Sequence, residues 1–162
     1  MKKLVIAVSL LFAAVICARA QQSVSVLGKA ARLAYDFLVE EGYKPSIDED
    51  DDVIFKAQGY SFYVDNNVND ETYLRVVLPA IEELEDEDDI AATFAALATC
   101  SDITRTKKLV KAYMSDEGVV SLAAETYLGS SGNMDEFLDT AIDFLIRSCK
   151  SWRETYKDYL DD

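Results

Sequence analysis

The sequence predicts an α+β domain of order αβββαββα, with three helices on one face of a five-stranded, mainly antiparallel sheet. Three observations lead there. Apolar residues recur at three- and four-residue spacing over 27–38, around residue 95 and over 134–156. Between these stretches they alternate with a period of two. Short turn signals at Gly59, Asn66 to Asp70 and Asp116-Glu117-Gly118 join the alternating runs.

Leu27, Ala30, Ala31, Ala34, Phe37 and Leu38 predict a helix over 23–41, stopped by Gly42. The acidic run Asp48 to Asp52 follows. Val53, Phe55 and Ala57 then alternate with Ile54, Lys56 and Gln58. Past Gly59, Tyr60, Phe62 and Val64 alternate with Ser61, Tyr63 and Asp65, which completes a hairpin. Leu74, Val76 and Leu78 alternate with Tyr73, Arg75 and Val77 in a third strand that ends at Pro79. Residues 82–89 are acidic except for Leu84, and they suit the N-terminus of a helix electrostatically. The Ala-rich stretch 88–100 predicts that helix, with Ile90, Phe94, Leu97 and Cys100 on its buried face. Two more strands are expected at about 106–114 and 118–127. After the loop Gly129 to Gly132, Asn133 and Glu136 form the capping pattern of a last helix. Its buried stripe is Met134, Phe137, Leu138, Ala141, Ile142, Leu145, Cys149, Trp152 and Tyr156.

The first twenty residues predict an address. Lys2 and Lys3 precede an apolar run from Leu4 to Cys17, and Ala18-Arg19-Ala20 has the small-x-small cleavage pattern. Residues 1–20 read as a signal peptide cut after Ala20, and 21–162 as one domain, periplasmic or secreted, with no membrane attachment after cleavage. Acylation at Cys17 would normally need a small residue at position 16, which is Ile16. The compartment permits a disulfide between Cys100 and Cys149, while their apolar helical faces suit two buried free thiols.

Composition excludes several functions. Thirty acidic residues face sixteen basic ones, three of which lie in the leader, so a nucleic-acid partner is not expected. The chain has no histidine, which removes every imidazole base and every His-ligated metal. Asp65, Asn67 and Asn69 begin like a calcium loop, but Asp70 stands where the glycine belongs and Val76 where the closing glutamate belongs. There is no Gly-x-Ser-x-Gly elbow, phosphate-cradling glycine loop or Cys-x-x-Cys. No enzyme activity, metal or cofactor is expected.

The informative feature is the sheet face away from the helices. With Val53, Phe62, Val76, Val110 and Leu122 turned inward, alternation turns Lys56, Tyr63, Tyr73, Arg75, Lys111, Tyr113, Glu125 and Tyr127 outward. Tyr and Arg are enriched at protein interfaces, because each offers contact area with a polar handle. Tyr also has good β-propensity, so ordinary outer-face residues give the same pattern. Arg105, Lys107, Lys108 and Lys111 form a basic cluster suited to an acidic partner or to a solvated strand start.

The element order, with Phe37-Leu38 leading to Gly42-Tyr43 at the helix exit, resembles the YbjN-like family, described as sensory transduction regulators. The fold of that family is similar to class I type III secretion chaperones. The resemblance spans about residues 23–155. It implies a non-enzymatic domain that pairs with itself and binds other proteins, with no catalytic residues to carry over. Secretion chaperones are cytoplasmic, and the leader of this chain departs from them. The expectation is a periplasmic, non-enzymatic protein-binding module, chaperone-like or adaptor-like. It would be a homodimer holding another protein or peptide on the open sheet face. The alternative is a regulatory module with a small ligand between sheet and helices.

Overall fold

The computed structural model describes residues 24–85, 89–128 and 134–161. The expected signal peptide, the expected loop Gly129 to Gly132 and the expected cap Asn133 lie outside the described residues. The order is α1 (Lys29–Glu40), β1 (Ser46–Ile47), β2 (Val53–Ala57), β3 (Tyr60–Val64), β4 (Tyr73–Glu83), α2 (Ile90–Thr106), β5 (Val110–Met114), β6 (Val119–Tyr127) and α3 (Met134–Asp161). The strands form one antiparallel sheet of order β1-β2-β3-β4-β6-β5. The α+β class and the three helices follow the sequence expectation. The sixth strand, β1, is an addition: two residues are too few to show a period.

Each element has a local cause. Gln58 and Gly59 both have positive φ, 50° and 85°, the two-residue turn whose twist matches the strands it joins. The helix predicted from residue 23 starts at Lys29 instead. Gly28 is extended, and its N–H donates to Asn66 Oδ1 at 2.7 Å. A Cβ there would meet the Asn67 carbonyl oxygen at 3.3 Å, so the chain before α1 is tied to the β3–β4 loop.

Strand β4 does not end at Pro79. It runs on to Glu83 across a bulge, with two extra residues between the pairs Leu78–Leu122 and Glu82–Val120. Proline is tolerated where a bulge interrupts the ladder. Ala80 takes φ 48°, and its N–H donates to Ser121 Oγ at 3.3 Å.

Helix α3, about 42 Å long, crosses β4 and β6 and holds α1 on one side and α2 on the other. The core lies beneath it. Trp152, Leu138, Leu145, Phe62, Leu74, Val76 and Leu122 are fully buried.

Helix α2 corrects the sequence reading twice. It reaches Thr106, which shortens β5 to Val110–Met114. Its buried face is Ala95, Ala96, Thr99, Cys100 and Ile103, while Ile90, Phe94 and Leu97 point outward. Small residues let the helix approach α3 and β5 closely, and almost every position of this segment is apolar, so periodicity selects no face. The buried Thr99 hydroxyl donates to the Ala95 carbonyl at 2.7 Å. Thr104 of α2 closes the β5 edge. Its hydroxyl accepts from the Ala112 N–H at 2.9 Å and donates to the Ala112 carbonyl at 3.3 Å.

Candidate functional site

All the described helices pack on the face that carries Val53, Phe62, Val76, Val110 and Leu122. The opposite face is built from cross-strand rows of the four strands β3, β4, β6 and β5. Tyr63 stands opposite Val77, Val77 opposite Ala123, and Ala123 opposite Lys111. Arg75 is opposite Glu125, and Tyr73 is opposite Tyr127. Val77 and Ala123 are fully buried although no described helix covers them. The long side chains around them close over the sheet.

Those side chains hold one another. Arg75 Nη1 donates to Asp65 Oδ2 at 3.0 Å. Its Nε lies 3.4 Å from Glu125 Oε1, an ion-pair contact without hydrogen-bond geometry that leaves this buried nitrogen unpartnered. The guanidinium sits 5.2 Å from the centroid of the Tyr113 ring. Lys111 pairs with the other oxygen of Glu125. Two cations therefore balance two carboxylates, a neutral patch on a strongly acidic chain. Burial raises the Tyr63 hydroxyl far above the ordinary tyrosine value, and Tyr113 and Asp65 beside it act the same way. Burial and the Glu125 carboxylate push Tyr73 up to about 12. The Tyr73 and Tyr127 rings lie 5.4 Å apart at the end of the patch.

Of the residues singled out from the sequence, Tyr63, Tyr73, Arg75, Lys111, Tyr113 and Tyr127 gather in this patch. Lys56 does not join them. It stands opposite Ser61 on β2 and β3 and lines a separate cleft of about 470 Å³ with Tyr43, Lys44 and Ile54. A second cleft, about 410 Å³, runs along Tyr73, Lys111, Glu125 and Tyr127 to Thr104 and Lys107. The sequence reading missed Asp65 as the partner of Arg75 and missed Val77 and Ala123 as the apolar floor. Alternation carried the signal, since Asp65 shares the parity of Tyr63.

Other candidate groups are engaged elsewhere. In the calcium-like loop, Asn67 Oδ1 accepts from the N–H groups of Asn69 and Asp70, each at 3.2 Å. Cys100 and Cys149 are buried free thiols, so the bridge that the sequence permits is not formed here. Burial raises both thiols. The Trp152 indole N–H beside Cys100 acts the other way without reaching hydrogen-bond geometry. Arg105 lies at the end of α2, paired with Asp102, and Lys107 Nζ donates to Ser151 Oγ at 3.0 Å, so the basic cluster belongs to a helix exit.

Fold and site together define an open-faced α+β module whose exposed polar groups are paired with each other. The chain belongs to the YbjN family, described as "Putative bacterial sensory transduction regulator", which matches residues 33–157. No curated protein sequence matches it. Among solved structures it is similar to YbjN of E. coli, titled "a putative transcription regulator" (TM-score 0.57, 13% identity, 74% of this chain and 87% of that one). It is also similar to an uncharacterized protein from Methanothermobacter thermautotrophicus (TM-score 0.55, 9% identity, 81% and 99%). A third is the Yersinia pestis type III secretion chaperone SycH, in complex with a fragment of YscM2 (TM-score 0.49, 11% identity, 76% and 98%). The neighbours from E. coli and Methanothermobacter thermautotrophicus share the fold.

Proposed function

We propose that this chain is a non-enzymatic protein-binding module of the periplasm, and that its partner docks on the open sheet face. The observation that carries this reading is the neutral patch around Arg75. Tyrosines surround a guanidinium already fixed between two carboxylates, so a partner meets a rigid aromatic surface that loses little freedom on binding. Tyr127, 69% exposed, offers the most accessible ring. Docking by strand addition is disfavoured on the β5 side, where Thr104 occupies the backbone groups of Ala112.

The test is a native pull-down from periplasmic extract with the wild type and two variants, Tyr63→Ser/Arg75→Glu and Tyr127→Ser. A stoichiometric protein captured by the wild type and lost in both variants supports the reading. Capture that all three share, or no capture, rejects it. Sequencing the N-terminus of the exported protein checks the location, with Gln21 expected first.

A small-ligand role is the second reading. The clefts found lie at the surface, so such a ligand would use the 470 Å³ cleft by β1 and β2, within the range of ligand sites. A ligand retained in native mass spectrometry and lost with Ile54→Asp would favour it.

A further inference from the structure

The cleft at the β1 end of the sheet is built around two lysines. Lys44 and Lys56 both line it, and among the described residues neither ammonium has an ion pair or a hydrogen bond. None of its described lining residues is acidic, although the chain carries thirty acids against sixteen bases. Strand register explains how the lysines meet. Ser46 pairs with Ile54 and Ile47 with Val53, so continuing the ladder brings Lys44 to the level of Lys56. The ladder stops short of them. Proline restricts φ to about −65°, against about −140° in an antiparallel strand, and at Pro45 the chain parts from β2. Like charges directly opposite one another also disfavour pairing there. The gap so opened is the cleft.

The rest of the lining selects the class of occupant. Lys56 stands opposite Ser61, so two cations and a hydroxyl share one row across the cleft. The row beside it holds Ser46 and the exposed Ile54. Tyr43 forms a wall, its ring edge-on to Phe55 at 5.9 Å, with Phe55 stacked on Phe62 at 5.2 Å behind it. Aromatic rings packed in this way give a largely pre-formed site. The acidic run Asp48 to Asp52 starts at the other end of β1, where Asp48 Oδ1 accepts from the N–H groups of Asp50 and Asp52 at 3.0 and 2.9 Å. The cationic row suits an anionic head. Ile54 and Tyr43 suit an apolar body attached to it. An inorganic anion would occupy the lysine row alone and leave most of the 470 Å³ unused.

We propose that this cleft binds a single-chain amphiphile with a carboxylate head, the head between Lys44 and Lys56 and the chain along Ile54 and Tyr43. The proposal deepens the small-ligand reading of the cleft and rests on it. The cleft shares no lining residue with the patch around Arg75, so protein docking on that patch stands or falls separately.

The experiment is isothermal titration of the chain, expressed with its own leader, with decanoate and with decyltrimethylammonium, which pair similar apolar chains with opposite heads. Non-specific attraction to so acidic a protein favours the cation, so a preference for the anion reports the lysine row. Decanoate is expected to bind, and decyltrimethylammonium to bind more weakly. Lys44→Gln/Lys56→Gln should weaken decanoate by roughly 10-fold or more. Lys150→Gln/Lys157→Gln, which removes the same charge outside the cleft, should leave it unchanged. Absence of decanoate binding overturns the proposal. So does binding of the cation as tight as that of decanoate, or decanoate binding that Lys44→Gln/Lys56→Gln leaves intact. If native mass spectrometry meanwhile retains another ligand that Ile54→Asp releases, the cleft keeps its small-ligand role and only the carboxylate amphiphile fails.

Discussion

Among the described residues, the open sheet face and the outer face of α2 are built in opposite ways. The open sheet face exposes aromatic and charged groups that bind one another: Arg75 with Asp65 and Glu125, Lys111 with Glu125, Tyr73 against Tyr127. The outer face of α2 exposes Ile90, Phe94 and Leu97, each at least half open to solvent. The first surface helps to stabilise the monomer. The second contributes little to a monomer and gains only by being covered. Exposure alone therefore separates neither function from scaffold; what the exposed groups already contact does.

Substitutions should read this contrast directly. Arg75→Ala leaves two half-buried carboxylates facing each other, and should cost about 1–3 kcal/mol in urea denaturation, reduced from the fully buried case by partial exposure. An unchanged midpoint would mean the network contributes nothing. Alkaline pH should act on the same face. Unfolded tyrosines release their protons near 10, whereas Tyr73 in the fold holds its proton to about 12. Its contribution is complete below the unfolded value and declines as pH rises from about 10 toward 12. Thermal melts across that range should fall more steeply for the wild type than for Tyr73→Phe. Equal slopes would refute the coupling.

A smaller effect is expected where the faces meet. Thr104→Val removes the partner of both Ala112 backbone groups and should cost about 0.5–1 kcal/mol, with faster hydrogen exchange at the Ala112 amide. Protection that persists would show that the hydroxyl is dispensable. Smallest of all, Phe94→Ser should shift the stability of the dilute monomer by less than about 0.5 kcal/mol. A large loss there would show that α2 is packed by contacts its exposure does not suggest.

How much of this was legible in the sequence depends on the period involved. A strand has only two faces, so placing Phe62 and Val76 inward placed Tyr63 and Arg75 outward. A helix rich in alanine has no such constraint. Ile90, Phe94 and Leu97 looked like core because they are large, yet the small Ala95, Ala96 and Thr99 allow the closer packing and take the inner face. Pro79 looked like a strand end because it lacks an N–H, while the two-residue bulge lets β4 continue past it. Asp65 was weighed as a calcium ligand from its neighbours in the chain; its actual partner, Arg75, is ten residues away and reached only across the sheet. The pairing within the patch depends on tertiary register, which no local pattern reveals.

The two ends of the sheet limit the kinds of assembly open to this protein. On one side β1 offers just two residues, and on the other the Thr104 hydroxyl occupies the middle of β5. Margins this short or occupied resist adding strands from another chain. Growth into fibres by stacking sheet upon sheet edge is thereby suppressed. A chain whose sheet margins are short or occupied can stay dispersed at high concentration.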